Sequence, residues 1–138
     1  MNRADLQNIA KIRVKEAKVL IDNKCFEGAY YLLGDAVECA LKSYIAKQTK
    51  RFDFPDRKLV VDSYTHDLEK LLQVSGLKVE HQDQMESDPS FAVNWTIIKD
   101  WSEDKRYMRS ISEAEAKDLY SAITEKKHGV LSWLKKLW

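Results

Sequence analysis

Apolar residues recur along this chain at helical rather than strand spacing, most strongly between Cys25 and Lys47. At 100° per residue, Phe26, Ala29, Tyr30, Leu33, Ala36, Val37, Ala40, Leu41 and Tyr44 fall in one stripe. Cys25, Leu32 and Cys39 widen it on one side and Ile45 on the other. An apolar arc covering more than half the circumference needs more than one neighbour. The segment is therefore predicted to be the central helix of a bundle, about 34 Å long at 1.5 Å per residue. Ala29, Ala36 and Ala40 are small enough to let other helices come close. The narrower polar arc holds Glu27, Tyr31, Asp35, Glu38 and Lys42. Glu38 and Lys42 stand at i,i+4 with the acid first, the favourable order for a helical ion pair.

A preceding helix is predicted from Ala4 to Asp22, with Leu6, Ile9, Ala10, Ala17, Leu20 and Ile21 on one face. The link to the central helix is so short that the two should pack antiparallel. Arg13 falls inside the apolar face. A charge placed there must find a partner or reach water along its own stem. Counting outward from the turn brings Arg13 level with residues 34–38, so Asp35 and Glu38 are its candidate counter-charges. Snorkelling at the edge of the stripe is the other open reading.

Beyond Lys47 the periodicity fails. Residues 47–58 carry Lys47, Lys50, Arg51, Arg57 and Lys58 against Asp53 and Asp56, with Phe52 and Phe54 interleaved and Pro55 ending any helix. Basic residues among aromatics suit RNA, through phosphate contact and base stacking. Lys50 and Arg51 are the candidate binding residues there. The favoured reading is a solvated connection with both phenylalanines tucked into the bundle. A further helix is expected from an N-cap at Thr65, with Asp67 and Glu69 in its first turn, Leu68, Leu71 and Leu72 buried, and Gly76 closing it. His66 opens that helix. Residues 79–88 are polar and acidic and read as a loop or frayed turn. Asp88-Pro89 begins another helix, whose Phe91, Trp95 and Ile98 share a face that Trp101 extends. The two tryptophans suit a core or a dimer surface. Charged residues 101–111 follow, with Arg106, Tyr107 and Arg109. Ser112 to Glu115 form a capping box for a last helix, which runs through Leu119, Ile123, Val130 and Leu134 and is weakened at Gly129. The closing WLKKLW reads as a packed last turn. No convincing strand alternation occurs. The prediction is one all-α domain over residues 1–138, an up-down bundle of four to five helices.

Composition narrows the function classes. A chain of 138 residues with 44% hydrophobic and 33% charged residues can bury a core of its own and is not of disordered type. A net charge of +1 means that any nucleic-acid site must be a local patch. Cys25 and Cys39 lie on one predicted helix about 21 Å apart, too far for a disulfide. They read as small buried residues in a reducing compartment. The opening MNRADLQN lacks the apolar run of a signal peptide, and no stretch suits a membrane span; a cytoplasmic location is expected. No phosphate-cradling glycine loop, HExxH, CxxC or GxSxG occurs. His66, His81 and His128 stand on different elements, so neither metal nor cofactor is expected.

A long helical hairpin containing Ala29-Tyr30 and the Ala36–Lys42 run, then Thr65-His66-Asp67-Leu68, then Arg106-Tyr107 after Trp101 and before a final helix, resembles the HEPN family. The resemblance covers most of the chain and rests on the order and spacing of short motifs. It implies a small all-α bundle that pairs into a homodimer. In prokaryotes such proteins often accompany a minimal nucleotidyltransferase in toxin–antitoxin or phage-defence pairs, and many are metal-independent RNases with an Arg-x4–6-His motif. This chain departs from that motif: the next histidine after Arg106 and Arg109 is His128, and Arg3, Arg13, Arg51 and Arg57 also lack one at that spacing. The resemblance therefore implies a protein that binds RNA, a nucleotide or a partner protein without cutting. The basic residues Arg13, Lys50, Arg51 and Arg109 and the carboxylates Asp35 and Glu38 are its candidate binding residues. A second reading is an RNase in which His66 takes the 2′-OH proton, Arg106 clamps the phosphate and Tyr107 adds a donor. A third is a structural dimerisation module with no ligand. Against a catalytic role, Arg106 and Tyr107 read equally as a buried pair locking the last two helices, with Arg106 bonded to Asp35 or Glu38.

Overall fold

The computed structural model describes residues 1–49, 54, 56–102, 104 and 110–138. These residues are mostly helical and contain no strand. They form α1 (Arg3–Asp22), α2 (Phe26–Gln48), α3 (Arg57–Ser63), α4 (Leu68–Val74), α5 (Lys78–Ser87), α6 (Pro89–Lys99), α7 (Glu113–Thr124) and α8 (Val130–Leu137). Eight helices stand where four to five were expected. Two short ones lie in stretches without an apolar period, and the last one is divided in two.

The hairpin of α1 and α2 is the frame. Asn2 and Asp5 cap α1 reciprocally, each side chain accepting the other's backbone N–H. At its far end the Cys25 N–H reaches Leu20 O at 2.7 Å and the Lys24 N–H reaches Ile21 O at 3.0 Å. This pair of bonds stops a helix with one left-handed residue, and Lys24 takes that position with φ 60°. Ala10 and Ala17 of α1 are buried where the two helices meet. On α2 the apolar stripe is buried as read, with Ala29, Leu33, Ala36, Val37, Ala40 and Leu41 all inside. Besides α1, helices α4, α7 and α8 pack on it. An arc that wide is what allows four neighbours.

The remaining elements pack around this axis. Arg57–Ser63 extends the expected connection with a short helix whose N-cap is Asp56. Phe54 is 97% exposed and is not tucked into the bundle; Lys50, Arg51, Phe52, Asp53 and Pro55 lie outside the described residues. Helix α4 starts later than predicted: Asp67, not Thr65, is its N-cap, accepting from Lys70 N. Gly76 closes it at φ +78°, as its glycine implies. Residues 78–87 are helix α5 and not a loop. Cys39 is buried, with its thiol pushed up to about 12 by that burial. Cys25 is exposed, contrary to the expectation for both cysteines. Trp95 and Trp101 are both buried core residues. The last helix breaks between α7 and α8, where residues 125–129 form a turn. His128 Nδ1 meets Asp88 Oδ2 at 2.6 Å and Asn94 Nδ2 donates to His128 O at 2.9 Å, which ties that turn to the start of α6.

His81 anchors helix α5 in the core. The ring is buried among Trp95, Phe91 and Trp133 at centroid distances of 4.6, 5.8 and 5.8 Å, all edge-on. Its Nε2 is buried with no hydrogen-bond partner among the described residues. Burial lowers the pKa of His81 below the ordinary histidine value. Protonation then favours the unfolded chain, so stability falls as the pH drops through about 6.5. His81→Phe is expected to flatten this part of the stability–pH profile in urea titrations. An unchanged profile would place the acid-sensitive group elsewhere.

Candidate functional site

The polar arc of α2 is not plain surface. At its first turn of charge, Arg13 of α1 donates from Nε to Asp35 Oδ2 at 3.1 Å and from Nη1 to Glu16 at 3.2 Å. The sequence reading that brought Arg13 level with residues 34–38 is met by this pair. Burial raises the pKa of the Asp35 carboxyl; the bond from Arg13 opposes that shift and the charge of Glu38 adds to it.

One turn further, Glu38 is buried on the most enclosed helix of the protein. Lys42 Nζ donates to its Oε1 at 2.7 Å, the i,i+4 pair expected from the sequence. Its second visible partner is His66, whose Nδ1 lies 2.9 Å from Oε2 and 3.0 Å from Oε1. An ionised carboxylate only accepts, so the ring nitrogen facing it carries the proton. The carboxylate thus sets the tautomer and the plane of the imidazole, with Nε2 as its basic nitrogen.

His66 is held by short-range chemistry on both sides. Tyr64 terminates α3, its N–H bonding Val61 O. Thr65 Oγ1 accepts from Asp67 N at 3.1 Å, and Asp67 in turn caps α4. The Thr-His-Asp sequence therefore makes a tight connection, with His66 before the helix and not in it. This takes the imidazole off the first turn of α4 and turns it back to α2.

An open cleft of about 570 Å³ lies beside it, with Tyr64, Thr65, His66 and Asp67 on one wall and Lys99, Asp100, Trp101 and Ser102 on the other. The His66 side chain is 51% exposed, so the group set from below by a buried carboxylate is presented to solvent at the cleft. Trp101 anchors the opposite wall: its Nε1 donates to Tyr30 O at 3.0 Å, and its ring lies directly over Gly34.

The site residues read from the sequence thus divide. His66 and Glu38 are brought together, and Arg13 and Asp35 pair beside them. Arg106, Tyr107 and Arg109 lie outside the described residues, as do Lys50 and Arg51, so neither the His66–Arg106 constellation nor the basic loop is placed. The Glu38–His66 bond was not read from the sequence, which assigned Glu38 to an arginine. The sequence carries no local signal for it, because Glu38 falls on the polar arc of α2 and only the fold buries that position. Among the described residues no three His, Cys, Asp or Glu side chains gather to hold a metal ion, and no helix is long and apolar enough to cross a membrane. The chain matches no protein-family model, and no curated protein or solved structure compared with it is similar.

Proposed function

We propose that this chain is a HEPN-like helical-bundle protein of a toxin–antitoxin or phage-defence pair, binding RNA, a nucleotide or a partner protein at the His66 cleft without an Arg-x4–6-His cleavage motif. The four-to-five-helix HEPN-like core corresponds in this reading to α1, α2, α4, α6 and α7, with α8 continuing α7 after a break and α3 and α5 as additions. One observation carries it: a buried glutamate on the central helix orients an exposed histidine at an open cleft. Burying a carboxylate is costly unless it is paired. An apolar residue would serve packing alone at that position. The glutamate fits a site better than it fits a core.

A second reading, a metal-independent RNase, is favoured by the same bond in a different respect. A carboxylate-held imidazole with Nε2 as its basic nitrogen is suited to accept the proton of a 2′-OH. Arg106 and Tyr107 are the residues this reading needs for the phosphate.

Labelled single-stranded RNA separates the two. The expected result is binding without cleavage by the wild type, and binding weakened about tenfold, roughly 1.4 kcal/mol, by His66→Ala. Cleavage that His66→Ala and Arg106→Ala both abolish would establish the second reading. RNA, nucleotide and nucleotidyltransferase binding all absent would leave a structural module.

A further inference from the structure

We propose that α5 is an acid-released flap, held on the body by the neutral ring of His81 and let go when that ring takes a proton. This is independent of what binds at the His66 cleft. It is also more than a loss of global stability, because the ring anchors one element. Helix α5 packs on α6. His81 is its one buried residue, with the partly buried Met85 beside it. An isolated helix of 10 residues is marginal in water, so undocking also melts it. Both ends of the flap are fixed by contacts that do not involve the ring. Before it, Leu77 is fully buried and its N–H donates to Ser75 Oγ at 3.3 Å. After it, Asp88 accepts from the Phe91 N–H at 3.1 Å and meets His128 Nδ1 at 2.6 Å. The flap can therefore open without pulling α4 or α6 out of the bundle, and it uncovers Phe91, Trp95 and Trp133.

The lock is the chemistry of the ring and its walls. The walls are Phe91 and Trp95 of α6 and Trp133 of α8. The buried Nε2 has no hydrogen-bond partner among the described residues. A neutral imidazole loses little by that. An imidazolium brings a second N–H and a charge, which aromatic walls cannot hydrate. Cation–π attraction to the tryptophans offsets only part of that loss. The charged groups on the packed elements do not shield it: Lys78, Glu80, Asp83 and Glu86 of α5, Lys99 of α6, and Lys135 and Lys136 of α8 are all exposed. Asp88 and His128 are engaged with each other. Burial is what lowers the proton affinity of the closed ring. In the open flap the ring meets water and titrates near the ordinary value of about 6.5, so acid favours the open form. The clamp at the far end holds through that window, because the bond from His128 keeps the Asp88 carboxyl below its ordinary value.

Amide hydrogen exchange on the full chain tests this at about pH 7.5 and pH 5.5 and at several low urea concentrations, with each rate divided by the intrinsic rate at that pH. The amides of residues 81–87 are expected to open about a hundredfold more readily than the buried amides of α2, and with little dependence on urea, as a local opening does. Their open fraction should rise about tenfold between the two pH values. His81→Phe keeps an aromatic anchor that cannot take a proton and should abolish that rise. Should His81→Phe fail to fold, the NMR titration of His81 in the wild type decides in its place, and a ring titrating at or above the ordinary histidine value overturns the proposal. Residues 81–87 sharing the protection and urea dependence of α2 also overturn it, since the whole chain then opens at once. So does an open fraction that stays level or falls in acid, or a rise that His81→Phe retains.

Discussion

Gly34→Ala is expected to destabilise this protein by about 3 kcal/mol, although alanine is the better helix former by about 1 kcal/mol. A Cβ at position 34 would lie 1.8 Å from Trp101 Cε2 and 2.2 Å from its Nε1. The indole cannot swing aside as a flexible side chain would. It is buried, and its N–H is spent on Tyr30 O within α2. Moving the ring therefore breaks that bond and leaves the buried indole N–H unmatched. The melting temperature should fall by roughly 10 °C. Trp101→Ala alone should cost about 3–5 kcal/mol through the cavity it opens. The decisive measurement is the double variant. With the indole gone the methyl group has room, so Gly34→Ala/Trp101→Ala should be no less stable than Trp101→Ala. Simple additivity of the two losses would mean that the ring does not sit over Gly34.

Glu38→Ala is the second large effect, expected at about 2 kcal/mol. Removing one partner of a fully buried pair commonly costs about 3–5 kcal/mol. Here Lys42 and His66 keep side-chain exposures of 25% and 51% and regain water, which reduces the loss. Chemical denaturation reads the stability. The more specific readout is the imidazole itself. Nitrogen shifts of His66 should show the proton on Nδ1 in the wild type and should move toward the Nε2–H form in Glu38→Ala. An unmoved tautomer would show that Glu38 does not set the ring, and with it the cleft would lose its best claim to be a site. Glu38→Gln should have the same sense with a smaller stability loss, because the amide still fills the space.

The residues that were legible in advance share a local cause. The stripe on α2 is wide because many of its own positions are apolar, and that can be counted along the chain. The Asp22–Lys24 link is too short for anything but a hairpin, so Arg13 could be placed opposite Asp35 by counting from the turn. Glu38 and Lys42 lie one turn apart on one helix. Asp88, Pro89 and Gly76 mark helix ends through their own backbone and side-chain chemistry.

Where the reading missed, the deciding cause is a partner distant in sequence or a choice between neighbouring positions at a helix end. Helix α5 has no apolar period, and it is anchored by a histidine that enters an aromatic nest built by α6 and α8. Thr65 and Asp67 are both good caps two residues apart. Asp67 takes the role, and the connection that Thr65 then makes points His66 back at α2. Cys25 has the apolar character of a core residue but stands at the exposed turn where α1 ends.

By itself, then, the amino-acid sequence determined an all-α chain, an antiparallel hairpin as its frame, and a charged arc on α2 able to hold counter-ions. These follow from periodicity, link length and capping, which act within a few residues. Tertiary structure decided what the arc holds and what it faces. It brought His66 onto a carboxylate buried in the bundle, and it laid Trp101 over Gly34, a residue of α2 without a side chain. Gly34 mid-helix reads as a cost to the helix in one dimension. In three dimensions it is the space into which an indole fits, because only the folded chain puts the two in the same place.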